Sequence, residues 1–340
     1  MNMNDASPYP RDFRGYGGNP PDPQWPGNAR VAVSLVVNVE AGSELSLADG
    51  DERNESVYEI VEPVAGVPNY CLASHFDYGP RAGYWRIMRT LKRFDAPCTV
   101  SAAGRAIERS PWLAEDVVAR GHEISCHSYR WERHAEMVEA HEREVIFKTV
   151  NCLRKASGVR PVGWHTKGAP SPNTRRLLVE EGGFLYDSDV YDDDLPHLVE
   201  VAGRSHVIVP YAFDTNDMRF MAGGTFVHAE DFARYCIDTF DTLWREGEQY
   251  PAMMSVGILQ FFTQDYMRER VHPCYCHRER IGSLMSVSFS TAAATAALRP
   301  QTWVSTDMLG IPRLISSAAV TGNAGRWIQP ARMGRPRRAI

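Results

Sequence analysis

A cluster of polar, aromatic and cationic residues follows a short apolar segment at residues 121–131, which read GHEISCHSYRW. Gly121 is expected to end a helix and the residues up to Cys126 to form a strand, so that His127 begins the next loop. The ordinary pKa of histidine lies near neutrality, so this side chain can accept or donate a proton at physiological pH. Because ligand sites in α/β proteins collect at the carboxyl ends of parallel strands, His127 is a candidate catalytic residue.

Glu40 is the second candidate, because it follows RVAVSLVVN at residues 30–38, a run typical of a strand covered on both faces. Further polar or aromatic residues lie at predicted strand ends: Arg130, Trp131, Trp164, His165, Lys167, Asp187 and Asp189. If these ends share one rim, the set suits hydrolysis of a planar amide. Glu40 would deprotonate water, His127 would hold or donate the proton, and cations would stabilise the oxyanion. The alternative is that many of these residues are helix caps and surface salt bridges.

Strand and helix patterns alternate along residues 30–259, and these elements must position the candidates. Apolar runs predict strands at 30–38, 97–103, 159–164, 184–189, 206–211 and 252–259, besides the one that ends at Cys126. Helical periodicity and capping residues predict helices at 84–94, 110–121, 135–156, 171–181 and 229–246. About seven such βα units are too regular for a sandwich and predict a parallel barrel or a doubly wound sheet, of which we favour the barrel.

The composition favours an enzyme that acts on a small-molecule substrate. The chain has 340 residues, 44% of them hydrophobic, and a net charge of −5, which gives no reason to expect nucleic acid or a membrane as partner. We find neither a secretory signal nor an apolar run of membrane-spanning length, and the seven cysteines are scattered. These features predict a cytoplasmic protein with reduced thiols, and they leave open whether it forms a homo-oligomer.

Three regions differ in composition. Residues 1–28 are rich in proline, glycine and asparagine and predict an extended arm, whereas residues 29–262 contain the barrel pattern. Residues 263–340 change to small residues and end in RWIQPARMGRPRRAI, which has five arginines and no acidic residue. This last region is expected to be an atypical segment, either disordered or produced by a shifted reading frame.

Metal binding is weakly indicated by the sequence. The fourth residue after His127 is Trp131, so the histidine pair that often binds zinc is absent there, and Glu40 is followed by Ala41. The segment HPCYCH contains four residues of metal-binding type, His272, Cys274, Cys276 and His277. A lone cluster without a second pair at the usual spacing is a weak signal, so we predict no metal and keep zinc as the alternative.

Several longer segments resemble one known family, the polysaccharide deacetylase (NodB-homology) superfamily, and within it the cytosolic allantoinases of purine breakdown. They are YPRDFRGYGG, HFDYGPRAGYWR, GHEISCHSYRW, SPNTRRLLVEEGGFLYDSD and PAMMSVG, in this order between residues 9 and 257. The resemblance implies a deformed barrel of βα units. It also implies hydrolysis of a carbon–nitrogen bond in a cyclic amide, the hydantoin ring of allantoin, which gives allantoate.

The resemblance also implies roles for individual residues. Glu40 falls on the first family motif as the base, with Ala41 in place of an acidic metal ligand; a shifted register would make Asn38 the base and Glu40 the ligand. His127 matches the first histidine of the second motif, and Trp131 replaces the second histidine. The substrate-binding residues implied by the motifs or by their neighbourhood are Arg81, Tyr129, Arg130, Trp131, Arg160, Trp164, His165, Asp187 and Asp189.

The last family motif should supply a histidine as proton donor, but this chain reads SVGILQFF, with Gln260 near that place. The favoured hypothesis is a metal-independent allantoinase. The first alternative is a zinc-dependent deacetylase acting on chitin-like or peptidoglycan-like sugars. The second is a non-catalytic barrel that binds a ligand, with a decayed carboxyl-terminal end.

Overall fold

A curled, mostly parallel sheet forms the framework of the protein. The computed structural model describes residue 9, residues 11–56, 64–220 and 226–260, and the backbone of residues 284–287. Within these residues the strands are β1 (Val31–Val39), β2 (Thr99–Ala102), β3 (Glu123–Cys126), β4 (Gly163–Trp164), β5 (Tyr186–Asp187), β6 (His197–Val201), β7 (Arg204–Ile208), β8 (Ala252–Leu259) and β9 (Leu284–Val287).

In the strand order, β1 lies between β2 and β8. The order is β6-β7-β5-β4-β3-β2-β1-β8, and β9 pairs with the first half of β1. The pairings are parallel except for the antiparallel hairpin of β6 and β7. The curled sheet with its helices is the deformed β/α barrel that the sequence predicted. The carboxyl ends of its parallel strands therefore meet at one rim.

The helices are α1 (Tyr70–Tyr78), α2 (Tyr84–Phe94), α3 (Gly104–Arg109), α4 (Pro111–Ala119), α5 (Glu139–Ser157), α6 (Thr174–Glu181) and α7 (Ala229–Glu246). A five-residue π-helical turn, Gly79–Gly83, joins α1 to α2. The buried residues of α2 are Tyr84, Ile87, Met88 and Leu91, which is the apolar stripe that the sequence predicted. No helix in the described part of the chain is long and apolar enough to cross a membrane.

Side-chain alternation along β1 separates two layers of the core. Val31, Val33, Leu35, Val37 and Val39 belong to the larger cluster, which includes residues of the surrounding helices. Ala32 and Val36 belong to a smaller cluster on the concave side of the sheet. Because alternate residues of a strand point to opposite faces, Asn38 and Glu40 share the concave side with Ala32 and Val36. The pattern thus directs a carboxylate into the mouth of the barrel.

The predicted bounds of α2, α7 and β8 agree with the structure, and β1 differs by one residue at each end. The sequence did not predict α1 and α3 as helices, or β6. The Pro- and Gly-rich arm forms neither an α-helix nor a strand over residues 11–25, and its Trp25 is buried and donates its indole N–H to the Ala252 carbonyl at 3.1 Å. The boundaries at residues 28 and 262 remain predictions. The segment 263–340 lies outside the described residues, apart from β9.

Candidate active site

Glu40 and His127 meet at the mouth of the barrel, where β1 and β3 end. Each residue is 4% exposed, and His127 Nε2 lies 3.3 Å from Glu40 Oε1. The backbone fixes the histidine, since its N–H donates to the Ala102 carbonyl at 2.9 Å. The two predicted catalytic residues are therefore neighbours in a site that is shielded from bulk water.

One proton lies between these two side chains. His127 Nδ1 is 2.8 Å from the backbone carbonyl of His165, and a carbonyl only accepts, so Nδ1 must carry a hydrogen. In a neutral imidazole of this tautomer Nε2 is an acceptor, as is each oxygen of an ionised Glu40. A contact of 3.3 Å between these two atoms is favourable when a proton lies between them. The pair is thus either an imidazolium with a carboxylate or a neutral imidazole with a carboxylic acid.

Electrostatics favour the carboxylate form of Glu40. Burial would raise the pKa of this carboxyl group, but the charge and hydrogen bond of His127, the charge of Lys167 and a hydrogen bond from Trp131 outweigh it. The net effect lowers the pKa of Glu40. A buried carboxylate that stays ionised at neutral pH can accept a proton from water.

Trp131 and Lys167 form one wall of the site. The Lys167 ammonium lies 3.9 Å from the centroid of the Trp131 ring, and Phe76 packs edge-on against the same ring at 5.5 Å. Gly79, in the turn between α1 and α2, lies so close that a Cβ atom there would be 3.0 Å from Ala41 Cβ. That turn therefore lies against the end of β1. Arg81 belongs to the turn and is exposed.

His165 extends the site on the other side of His127. Its ring centroid lies 4.9 Å from that of His127 and 4.6 Å from that of Tyr211. Burial, and then the charge of His127, lower the pKa of His165 far below its ordinary value, so this imidazole is neutral. Its Nδ1 atom is buried and has no hydrogen-bond partner among the described residues. A buried polar atom without a protein partner is available to form a hydrogen bond with a bound ligand.

Two amides and a phenol complete the interior of the site; the sequence indicated one of them, Asn38, only as the base of a shifted register. The Tyr211 hydroxyl accepts hydrogen bonds from Asn38 Nδ2 at 3.3 Å and from Asn216 Nδ2 at 3.0 Å. Asn38 Oδ1 is buried without a hydrogen-bond partner in the described part of the structure. Asn38 lies two residues before Glu40 on the same face of the predicted strand, so its place in the site could be predicted. Tyr211 carried no such signal.

Asp187 and Asp189 form a separate cluster at the same end of the sheet. Asp187 is fully buried and binds Arg175 through both oxygens, at 2.8 and 3.0 Å, and His206 at 3.1 Å. It pairs with Trp164, a member of the larger core, so it lies on the helix-facing side of the sheet. Although burial opposes ionisation, His206 and Arg175 hold the pKa of Asp187 below its ordinary range.

The pKa of Asp189 is raised, whereas that of Asp187 is lowered. The oxygens of Asp189 accept the Thr166 N–H and hydroxyl, each at 2.6 Å. Burial and the negative charge of Asp187 raise the pKa of Asp189 to about 7. The Arg175 guanidinium beside this cluster lies 4.4 Å from the ring of Tyr9, which belongs to the amino-terminal arm. Asp187 therefore belongs to a buried ion-pair network with Arg175 and His206, and Asp189 is held beside it by hydrogen bonds from Thr166.

Besides Asp187, which lies on the helix-facing side of the sheet, four predicted substrate-binding residues do not reach the mouth. Arg160 precedes β4, and its guanidinium pairs with Glu181, so it lies at the opposite end of that strand. Arg130 is held by Asp51 through two hydrogen bonds of 2.9 and 2.6 Å.

The other two contribute to packing. The Tyr129 hydroxyl binds Glu108, and the Lys148 ammonium lies 3.7 Å from its ring centroid. Trp164 is fully buried in the larger core and donates its indole N–H to Thr166 at 2.9 Å. The expectation that these residues line one rim is therefore corrected: nearness to a strand end does not decide which face or end a side chain occupies.

The side chains near Glu40 do not fit the zinc site that the alternative, a zinc-dependent deacetylase, would need. Ala41 and Trp131 occupy the positions of two ligands and cannot coordinate a metal through their side chains. Within the described residues, no group of three histidine, cysteine or acidic side chains is arranged to hold a metal ion. The HPCYCH segment lies outside those residues.

The fold and the buried acid–histidine pair define a hydrolase-type β/α barrel. Residues 66–184 match the family model described as polysaccharide deacetylase. The chain is 36% identical over 270 residues to a Schizosaccharomyces pombe protein assigned to the polysaccharide deacetylases, and the alignment covers 73% of this chain and 84% of that protein. The chain therefore belongs to the polysaccharide deacetylase family, a family of hydrolases.

Two solved structures are similar over nearly their whole length. The crystal structure named Puue allantoinase is 38% identical, with a TM-score of 0.77, and the match covers 87% of this chain and 99% of that one. A Pseudomonas aeruginosa PAO1 protein assigned to the polysaccharide deacetylases is 39% identical, with a TM-score of 0.76 and coverage of 87% and 100%. These similarities agree with the expected family and leave the substrate to be tested.

Proposed function

We propose that this protein hydrolyses a carbon–nitrogen bond of a cyclic amide without a metal ion, and that the substrate is allantoin, whose hydantoin ring opens to give allantoate. The buried Glu40–His127 pair, with 3.3 Å between Glu40 Oε1 and His127 Nε2, is the observation that carries the proposal. The similarity to an allantoinase over almost the whole of that chain supports the choice of substrate.

The pair can supply both proton transfers of the reaction. The Glu40 carboxylate accepts a proton from water as the water oxygen bonds to the ring carbonyl carbon. His127, protonated at Nε2, then donates a proton to the ring nitrogen as the carbon–nitrogen bond breaks. The proton on Glu40 passes back across the 3.3 Å contact to His127, and the new carboxylic acid releases its proton to solvent. Glu40 and His127 thus return to their starting state.

Other residues of the mouth would bind the ring and the developing charge. Lys167, whose charge already acts on Glu40, would stabilise the negative oxygen of the tetrahedral intermediate. The neutral His165 and Asn38 Oδ1 offer buried polar atoms for the N–H and C=O groups of a hydantoin. Trp131 offers a flat surface to the planar ring. His127 would therefore serve as the proton donor in this chain, in which Gln260 stands near the place of the expected histidine.

The proposal is tested by incubating the purified full chain with allantoin and quantifying allantoate by chromatography, with and without EDTA. We expect allantoate in both samples. Parallel incubations with chitin and peptidoglycan oligosaccharides, with added Zn²⁺, test the deacetylase alternative. Release of acetate that requires Zn²⁺, without turnover of allantoin, would establish that alternative. Calorimetric binding of allantoin without turnover would instead identify a ligand-binding barrel.

A further inference from the structure

A second cavity, of about 530 Å³, lies beside the mouth of the barrel. Residues 191–194, residues 210–214 and the β8 residues Met253 and Ser255 line it. Tyr211 belongs to this lining, and its ring also contacts His165 of the candidate active site. The cavity is therefore a neighbour of the Glu40–His127 site and involves a different set of charged residues.

The charged side chains that the structure describes in the lining of this cavity are all acidic. Its charged lining residues, in the part of the chain that the structure describes, are four aspartates: Asp192, Asp193, Asp194 and Asp214. Two of these carboxylates accept hydrogen bonds from tyrosine hydroxyl groups: Tyr16 donates to Asp193, and Tyr235 donates to Asp214 at 3.0 Å. His197 lies 4.0 Å from Asp192 and 3.9 Å from Asp193.

Asp194 lacks such compensation. Its carboxylate has no hydrogen-bond or ion-pair partner among the described residues. Although Asp194 is an exposed residue, partial burial of its carboxylate and then the charges of Asp193, Asp214 and Glu246 raise the pKa of Asp194. A cation that enters the cavity would relieve this repulsion.

A buried hydroxyl points to a ligand independently of the charges. Ser255 is 5% exposed, and its Oγ has no hydrogen-bond partner within the described residues. Met253 and Ser255 line the cavity, whereas Met254 and Val256 belong to the helix-facing core. Because residues alternate along a strand, the Ser255 side chain faces the cavity. Its hydroxyl can accept an N–H from a bound molecule.

Aromatic rings stand at the same cavity. Tyr191 and Phe213 are stacked with their centroids 3.8 Å apart, and they are 43% and 54% exposed. The faces of exposed aromatic rings attract organic cations. Carboxylates, a hydroxyl acceptor and π-faces together suit a cation that carries several N–H groups.

We propose that this cavity binds a small organic cation with N–H donors, of the ammonium or guanidinium type. The lining does not suit a metal ion, since no cluster of three metal-ligating side chains is present among the described residues. The inference goes beyond the proposed amide hydrolysis and does not depend on it, because Asp194, Asp214 and Ser255 take no part in the Glu40–His127 chemistry.

The test compares two planar probes of nearly the same shape, butylguanidinium and the neutral butylurea, by isothermal titration calorimetry with the full chain. We expect butylguanidinium to bind at least about tenfold more tightly, and its binding to weaken as the salt concentration rises. The substitution Asp194→Asn should weaken butylguanidinium binding by about fivefold or more. Glu144→Gln, which neutralises an exposed carboxylate on α5, is the matched control and should leave the affinity unchanged.

Three results would overturn the inference. Equal binding of butylurea would mean that the cavity recognises planar N–H groups and not charge. Unchanged butylguanidinium affinity in Asp194→Asn, with an unaltered circular dichroism spectrum, would place the binding elsewhere. Displacement of butylguanidinium by micromolar Mg²⁺ or Ca²⁺ would identify a metal site instead.

Discussion

Replacing Glu40 with glutamine removes one charge from the candidate site and keeps the shape of the side chain. In the native protein the carboxylate faces His127 Nε2 at 3.3 Å, and both groups are buried. The glutamine amide is not basic enough to take a proton from water, so the variant loses the general base and keeps the walls of the site. Substrate binding should therefore change little.

The magnitude follows from the role assigned to the carboxylate. A positioned general base contributes about 10² to 10⁴ in rate, which corresponds to about 3 to 5 kcal/mol in the activation free energy. Breaking a buried ion pair lowers stability by about 3 to 5 kcal/mol when the remaining charge stays buried. His127 can avoid this by releasing its Nε2 proton, because its Nδ1 hydrogen is still accepted by the His165 carbonyl. We therefore expect a stability loss of only about 1 to 2 kcal/mol.

The assay measures kcat and KM for allantoin together with the urea-unfolding free energy. Glu40→Gln should lower kcat by at least about 100-fold and change KM by less than about threefold. Glu123→Gln is the matched control, because Glu123 begins the strand that His127 follows and binds Thr99 at 2.8 Å and Tyr186 at 3.0 Å. This control should reduce stability and leave kcat within about twofold. A folded Glu40→Gln protein with more than about a tenth of the native kcat would refute the assignment of the base.

Three further predictions concern the surroundings of the pair. Lys167→Met should keep the packing on Trp131 and lower kcat by about tenfold or more. It should also move the acidic limb of the kcat/KM pH profile to higher pH, because the Lys167 ammonium lowers the pKa of Glu40. Asp187→Asn should lower the urea-unfolding free energy at pH 7 by about 3 to 5 kcal/mol, because it leaves the Arg175 charge buried. Asp189→Asn should flatten the pH dependence of the same quantity. Between pH 3.8 and about 7, the folded protein keeps a proton on Asp189 that the unfolded chain has released. The stability of the native protein therefore falls as the pH rises through this range.

Controls exist for the two aspartate predictions. Glu180→Gln breaks the exposed contacts of Glu180 with Arg143 and Arg176 and should change stability by less than about 1 kcal/mol. The pKa of Asp187 is lower in the folded protein than in the unfolded chain. Its contribution to the unfolding free energy is therefore fully present above the unfolded pKa and is lost as the pH falls through the folded pKa. Equal effects of Asp187→Asn and Glu180→Gln at pH 7, or a pH profile of Asp189→Asn that matches the native one, would contradict these predictions.

The barrel elements with strong periodicity could be predicted from the sequence. The apolar stripe of α2 and the mostly apolar sequence of β8, in which Ser255 is the polar residue, each predict one element, since burial on a fixed face leaves no alternative register. The helix α1 has only Leu72 and Phe76 buried, so its stripe was too short to recognise. The strand β6 is half-exposed and, among the described strands, pairs only with its hairpin partner β7, so it lacks the apolar run of a central strand.

The candidate site was predicted only in part, for a physical reason. Glu40 and His127 follow well-defined strands, and their positions along the chain place them at the rim. The position of Trp164 at a strand end was read correctly, but strand alternation turns its side chain toward the helices. Tyr211 reaches the site through a loop after β7, and its partner Asn38 is 173 residues away in the sequence, whereas Asn216 belongs to the same loop region. Contacts made through loops have no local pattern in a sequence.

The central claim is that the Glu40–His127 pair activates water without a metal ion. Its most direct test is mass spectrometry of allantoate formed by the EDTA-treated full chain in water enriched in ¹⁸O. We predict one ¹⁸O atom in the new carboxylate for each ring opened, at a rate that added Zn²⁺ does not raise. Formation of labelled allantoate only after Zn²⁺ is restored, or no allantoate under any condition, would contradict the claim.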